Sequence, residues 1–126
     1  MTSQKNGPIF LAVLIQFIRN KQKTMHYTVL VVDHENETRE ELVEALVIRG
    51  LKVVSCDNFE DACEYILSDG TIHAVLSEWN LPQTSQSEKW VKGLDIFKKF
   101  LGLRFELSLF LYTCVSDTKD LTSGGI

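Results

Sequence analysis

Residues 27–32 read YTVLVV, an almost unbroken apolar, β-branched run that stops at Asp33. A strand with one solvated face alternates apolar and polar residues. A run that is apolar at nearly every position reads instead as a strand buried on both faces, the mark of a parallel sheet covered by helices on either side. The residues that follow fit this class. Residues 38–41 (TREE) read as a capping box, with Thr38 at the cap and Glu41 reaching back. Leu42, Ala45, Leu46 and Arg49 follow at helical spacing, and Gly50 suits the position just past a helix end. Residues 51–56 (LKVVSC) form a second short strand. Asn58 is placed to cap a second helix, with Asp61 in its first turn complementing the dipole. Phe59, Ala62, Cys63, Ile66 and Leu67 are expected on its apolar face. After the Asp69-Gly70 turn, residues 72–77 (IHAVLS) give a third strand. Residues 79–93 read as a loop with Pro82 and a polar stretch. Residues 94–100 read as a short helix with Leu94, Phe97 and Phe100 apolar, and residues 107–112 (LSLFLY) as a fourth strand.

A β-α-β-α-β-α-β order means parallel strands joined by crossover helices, an α/β fold with most of a flavodoxin-like three-layer sheet. In such sheets chemistry gathers at the carboxyl ends of the strands, near the point where the strand order reverses. The residues to inspect are Asp33, His34, Glu35, Cys56, Glu78 and Thr113. The 126 residues suit one domain. A net charge of −4 offers no basic stripe for nucleic acid. Cys56, Cys63 and Cys114 match neither a zinc pattern nor a disulfide framework, which points to a reducing, cytoplasmic location. No glycine-rich phosphate loop, nucleophile elbow or zinc spacing is present, so no enzymatic activity is expected.

Residues 9–18 (IFLAVLIQFI) lie in a leader, residues 1–24, ahead of a domain spanning 25–126. The run is too short to span a bilayer, which needs about 20 residues. It reads as an apolar helix packing on a partner or on this domain, with membrane-surface docking and a true start at Met25 as the alternatives. Deleting residues 1–24 is expected to lower solubility or change the oligomeric state, because a sheet that ends at its fourth strand exposes an edge. Tyr27, Trp79 and Trp90 are candidates for added interface area.

The ends of the strands carry a resemblance. VLVVDHE at 29–35 resembles the segment that opens response-regulator receiver domains. AVLSEWNLP at 74–82 resembles their third strand, with Glu78 at the place of the phosphoacceptor aspartate and Pro82 four residues on. GLDIFKKF at 93–100 is similar to the start of the third receiver helix, and LFLYT at 109–113 to the fourth strand with its hydroxyl residue, here Thr113. The resemblance covers roughly residues 27–118. It implies a site in which carboxylates hold Mg²⁺, an aspartate takes a phosphoryl group, and a hydroxyl and a lysine bind its oxygens. This chain departs from that pattern. His34 replaces the second metal-binding acid. Glu78 sets its carboxylate one methylene further out, about 1.5 Å, and in-line transfer tolerates displacement of about 1 Å badly. The fifth strand, with its lysine, is expected to be missing.

The resemblance therefore implies a degenerate receiver-like module that binds a protein partner and is not normally phosphorylated. Its acidic pocket comprises Asp33, Glu35 and Glu78; Asp33 and Glu78 are expected to bind Mg²⁺ weakly at most, and Thr113 is the switch-like residue. Glu78 either imitates the phosphorylated state or is an ordinary solvated glutamate at a strand end. A second resemblance, over ILSDGTIHAVLSEWNL at 66–81 and FLYT at 110–113, is to the receiver-like N-terminal wing domain of Orn/Lys/Arg decarboxylases, which implies a role in homo-oligomer assembly.

Overall fold

The computed structural model describes residues 27–113. The leader helix over 9–18, the Met25 start, Cys114 and the question of a fifth strand lie outside the described residues.

Four strands form one parallel sheet: β1 (Thr28–Val32), β2 (Lys52–Cys56), β3 (Ile72–Glu78) and β6 (Ser108–Tyr112), in the order β2-β1-β3-β6. The apolar run of β1 is buried at all five positions, as its composition requires for a central strand. Helix α1 (Asn36–Ile48) covers one face, where Leu46 packs with Val29, Val31, Ala74 and Leu76. Helices α2 (Phe59–Ser68) and α3 (Gly93–Leu103) cover the other, where Ala62, Ile66, Ile96 and Phe100 meet Leu30, Val32 and Val75. The result is the three-layer α/β fold expected from the sequence.

Local chemistry explains the element ends. Gly50 ends α1 with φ of +87°, a conformation that a side chain would strain. The Asn58 side chain accepts the Asp61 N–H at 2.9 Å and caps α2 as expected. The capping box at Thr38 is corrected. Helix α1 begins three residues earlier, with Glu35 at the cap position and no side-chain cap, and the Thr38 hydroxyl instead donates to the Glu35 carboxylate at 3.1 Å. Asp33 already fixes this turn by accepting the Glu35 N–H at 2.8 Å, so the chain enters the helix at once.

The expected loop over 79–93 contains a small hairpin, β4 (Leu81–Pro82) paired antiparallel with β5 (Trp90–Val91). The Gln83 N–H donates to the Lys89 carbonyl at 2.7 Å, and the Gln83 carbonyl accepts the Glu60 N–H at 3.0 Å, docking the hairpin on the start of α2. Of the face expected for helix α3, Phe100 is buried, but the helix is rotated so that Ile96 joins it, while Leu94 and Phe97 face outward. Gly93 sets that rotation: a Cβ there would lie 2.2 Å from the Trp79 ring. Leu67 is likewise exposed and not part of the apolar face of α2. Tyr27 is buried and stacks on His73 at 4.7 Å, so it offers no interface area.

Candidate functional site at the carboxyl rim of the sheet

The strand order reverses between β2 and β3 around β1, and the rim there is where a doubly wound sheet gathers its chemistry. In the β1–β3 register Val32 faces Ser77, so the next residues, Asp33 and Glu78, emerge side by side. Ligand atoms of Asp33, His34 and Glu78 all lie within 4.8 Å of one another. The two carboxylates expected to share one rim of a parallel sheet do so.

Asp33 has no exposed surface. One of its oxygens accepts the Glu35 N–H and the other accepts the Tyr112 hydroxyl; Arg39 donates to its carbonyl at 2.8 Å. Burial pushes its carboxyl up to about 6, and the nearby Glu78 charge adds to this, while the bonds from Tyr112 and Glu35 work the other way. Glu78 is also buried, which overturns its reading as a solvated strand-end glutamate. Its Oε1 accepts the His34 N–H at 3.0 Å and lies 2.7 Å from His34 Nδ1. Partial burial pulls the His34 imidazole down, but the bond and charge of Glu78, with help from Asp33 and Glu35, outweigh it and raise it above the usual range. The Trp90 and His34 rings meet at a steep angle with their centres 5.0 Å apart, so the hairpin forms one wall of the site.

Other expected members stand elsewhere. Glu35 is exposed, with its carboxylate on Thr38; its main-chain N–H bonds Asp33, and its side chain adds only a minor charge effect on His34. Thr113 is exposed and lines a cavity of about 620 Å³ with Trp79 and residues 109–112. The residue of β6 that reaches the carboxylates is its neighbour Tyr112, which the sequence reading did not single out. The alternation of β6 contains the signal, since Tyr112 pairs in register with Glu78 and so shares its side of the sheet. Cys56 and Cys63 are half-buried thiols, and burial pushes that of Cys56 up to about 12.

The set of donors suits Mg²⁺ poorly. That ion prefers six hard oxygens in near-ideal octahedral geometry. Here an imidazole nitrogen faces the Glu78 carboxylate, and both Asp33 oxygens already accept hydrogen bonds.

No family model matches the chain, and no curated protein matches it. Solved structures do. A response regulator receiver protein from Pseudomonas putida aligns with a TM-score of 0.59 and 26% identity, over 79% of this chain and 78% of that one. The MaeR response regulator bound to beryllium trifluoride aligns with a TM-score of 0.58 and 16% identity, over 78% and 75%. A chain from the complex of histidine kinase ThkA with response regulator protein TrrA aligns with a TM-score of 0.56 and 23% identity, over 72% of each. The fold is receiver-like, and the structures it resembles are response-regulator receiver domains.

Proposed function

We propose that this chain is a cytoplasmic receiver-like module that binds a protein partner and is held in one state instead of being switched by phosphoryl transfer. The observation that carries this reading is the contact between His34 Nδ1 and Glu78 Oε1 at 2.7 Å. The motif likens Glu78 to a receiver's acceptor, its place at the end of β3 supports that likeness, and its carboxylate, one methylene longer than an aspartate's, is already engaged by an imidazole. Weak Mg²⁺ binding by Asp33 and Glu78 contributes little in this account. The negative charge of Glu78, partly countered by His34, takes the part that a transient phosphoryl group plays in a switching receiver. Among the described residues no helix is long and apolar enough to cross a membrane. The kinase complex among the similar structures supports a protein as the partner class.

Incubation with acetyl phosphate and Mg²⁺, followed by intact mass measurement, tests the reading. No mass increase is expected. Addition of one phosphoryl group that is lost in Glu78→Gln would overturn it.

A further inference from the structure

We propose that β6 is a self-pairing edge, on which a second copy of this chain adds its own β6 antiparallel about a twofold axis at Phe110. The pairing goes beyond the reading of the acidic rim and does not depend on it.

The direction of the main chain comes from one bond. The Trp79 N–H donates to the Tyr112 carbonyl at 2.6 Å, so the main chain of Tyr112 faces β3. Main-chain groups alternate in direction along a strand. Those of Ser108 and Phe110 therefore face β3 as well, and the N–H and C=O of Leu109 and Leu111 point away from it. β6 is the last strand of its sheet among the described residues, and none of those residues bonds these four outward groups.

Composition separates this edge from the other one. β2 opens on the exposed Lys52, a charge of the kind that discourages strand addition. β6 reads SLFLY, with neither charge nor proline. Its residues are otherwise the apolar and aromatic types that pair well in sheets.

Register decides the occupant. In an antiparallel pair, opposed residues that exchange both hydrogen bonds alternate with opposed residues that exchange none. With Phe110 opposite the second copy's Phe110, Leu109 meets the second copy's Leu111, and Leu111 its Leu109. Each of these two pairs exchanges both bonds, so every outward group of Leu109 and Leu111 is satisfied in both copies. Phe110 meets its counterpart at the closely spaced, unbonded position, an aromatic cross-strand pair. No charge in β6 opposes itself across the axis, and the contact closes at two copies because the same patch serves both sides. Trp79 and Thr113 are exposed beside the strand and line, with residues 109–112, a cavity of about 620 Å³ that widens the contact. A five-residue strand with these flanks is small against the roughly 20–30 residues a side of a standard interface, so the dimer is weak and depends on concentration.

Amide hydrogen exchange of the full-length chain, read residue by residue in dilute and in concentrated solution, tests the proposal. The Leu109 and Leu111 amides are expected to exchange severalfold more slowly in the concentrated sample. Leu111→Pro removes only an outward N–H, a change that edge strands tolerate. It should abolish the concentration dependence at Leu109 with the fold unchanged by circular dichroism. In a Cys114→Ser background, Phe110→Cys should yield a disulfide-linked dimer on mild oxidation, because the unbonded pair sets the two Cα atoms about 4.5 Å apart. Leu109→Cys, which faces the second copy's Leu111 and not its own counterpart, should not. Exchange at Leu109 and Leu111 that is the same at both concentrations overturns the proposal, whether the amides are open or covered from within one chain; release of covered amides on deleting residues 1–24 would assign the edge to the leader instead. Crosslinking of Leu109→Cys as ready as that of Phe110→Cys overturns it too.

Discussion

A carboxylate taken fully out of water opposes folding unless something neutralises it, and Asp33 is such a group. Its folded carboxyl takes up a proton near pH 6, against 3.8 for an ordinary aspartate. Between these values the folded chain binds more protons than the unfolded one, so this residue makes stability rise as pH falls from about 6 toward about 4. His34 acts in the same direction. Its raised imidazole contributes stability that is present in full below the ordinary histidine range and lost as pH climbs through the folded value. Asp33→Asn is therefore expected to stabilise the fold at pH 8 by about 1–2 kcal/mol and to flatten the rise between pH 7 and pH 5; urea denaturation across that range checks both. The importance of Asp33 and Glu78 was legible in the sequence, because both stand at the ends of buried strands. The pairing of His34 with Glu78 was not: adjacent acidic and imidazole residues are common in exposed loops, and only the strand register brings positions 34 and 78 together.

Among the elements, the joints hold more than the sequence disclosed. The Arg104 guanidinium, just past α3, donates to the carbonyls of Ile66, Asp69 and Ile72, tying the end of α2 and the start of β3 to the end of α3. The Ile66 carbonyl is one of the acceptors that a helix C-terminus leaves behind, and the Asp69 carbonyl also accepts the Ile72 N–H at 3.2 Å. Arg104→Ala is expected to cost about 2–3 kcal/mol, with Arg104→Lys recovering only part of it, since one ammonium cannot serve three divergent acceptors; thermal melts of both variants decide. Nothing in the local sequence marks an arginine in a short connection as such a staple. The rotation of α3 was hidden for a related reason. Leu94/Phe97 and Ile96/Phe100 are both apolar at helical spacing, so periodicity alone does not choose between them. The Trp79 ring over Gly93 chooses. Gly93→Ala should displace that ring, shift tryptophan fluorescence and destabilise by about 1–3 kcal/mol. An unchanged spectrum would show that the ring is not seated there.

For the molecule as a whole, the succession of strands and helices, the parallel pairing and the layering could be read in advance, because a doubly buried strand leaves few alternatives. The cooperative core makes a prediction at this scale. With Cys114 replaced by Ser, the thiols left are Cys56 and Cys63; burial holds the first up to about 12 and raises the second as well. Since the thiolate is the reactive form, alkylation at neutral pH should be slow in the folded protein and should accelerate with urea in step with global unfolding. Fast labelling of Cys56 in the absence of urea would show that the sheet opens locally at β2.

The account centres on the contact between His34 and Glu78 at the carboxyl rim of the sheet. A double-mutant cycle with His34→Gln and Glu78→Gln, followed by urea denaturation at pH 6, measures it directly. A favourable coupling of about 1 kcal/mol or more is predicted. Additive effects of the two substitutions would mean that the side chains do not meet, and the reading of a closed, unswitched site would fall with them.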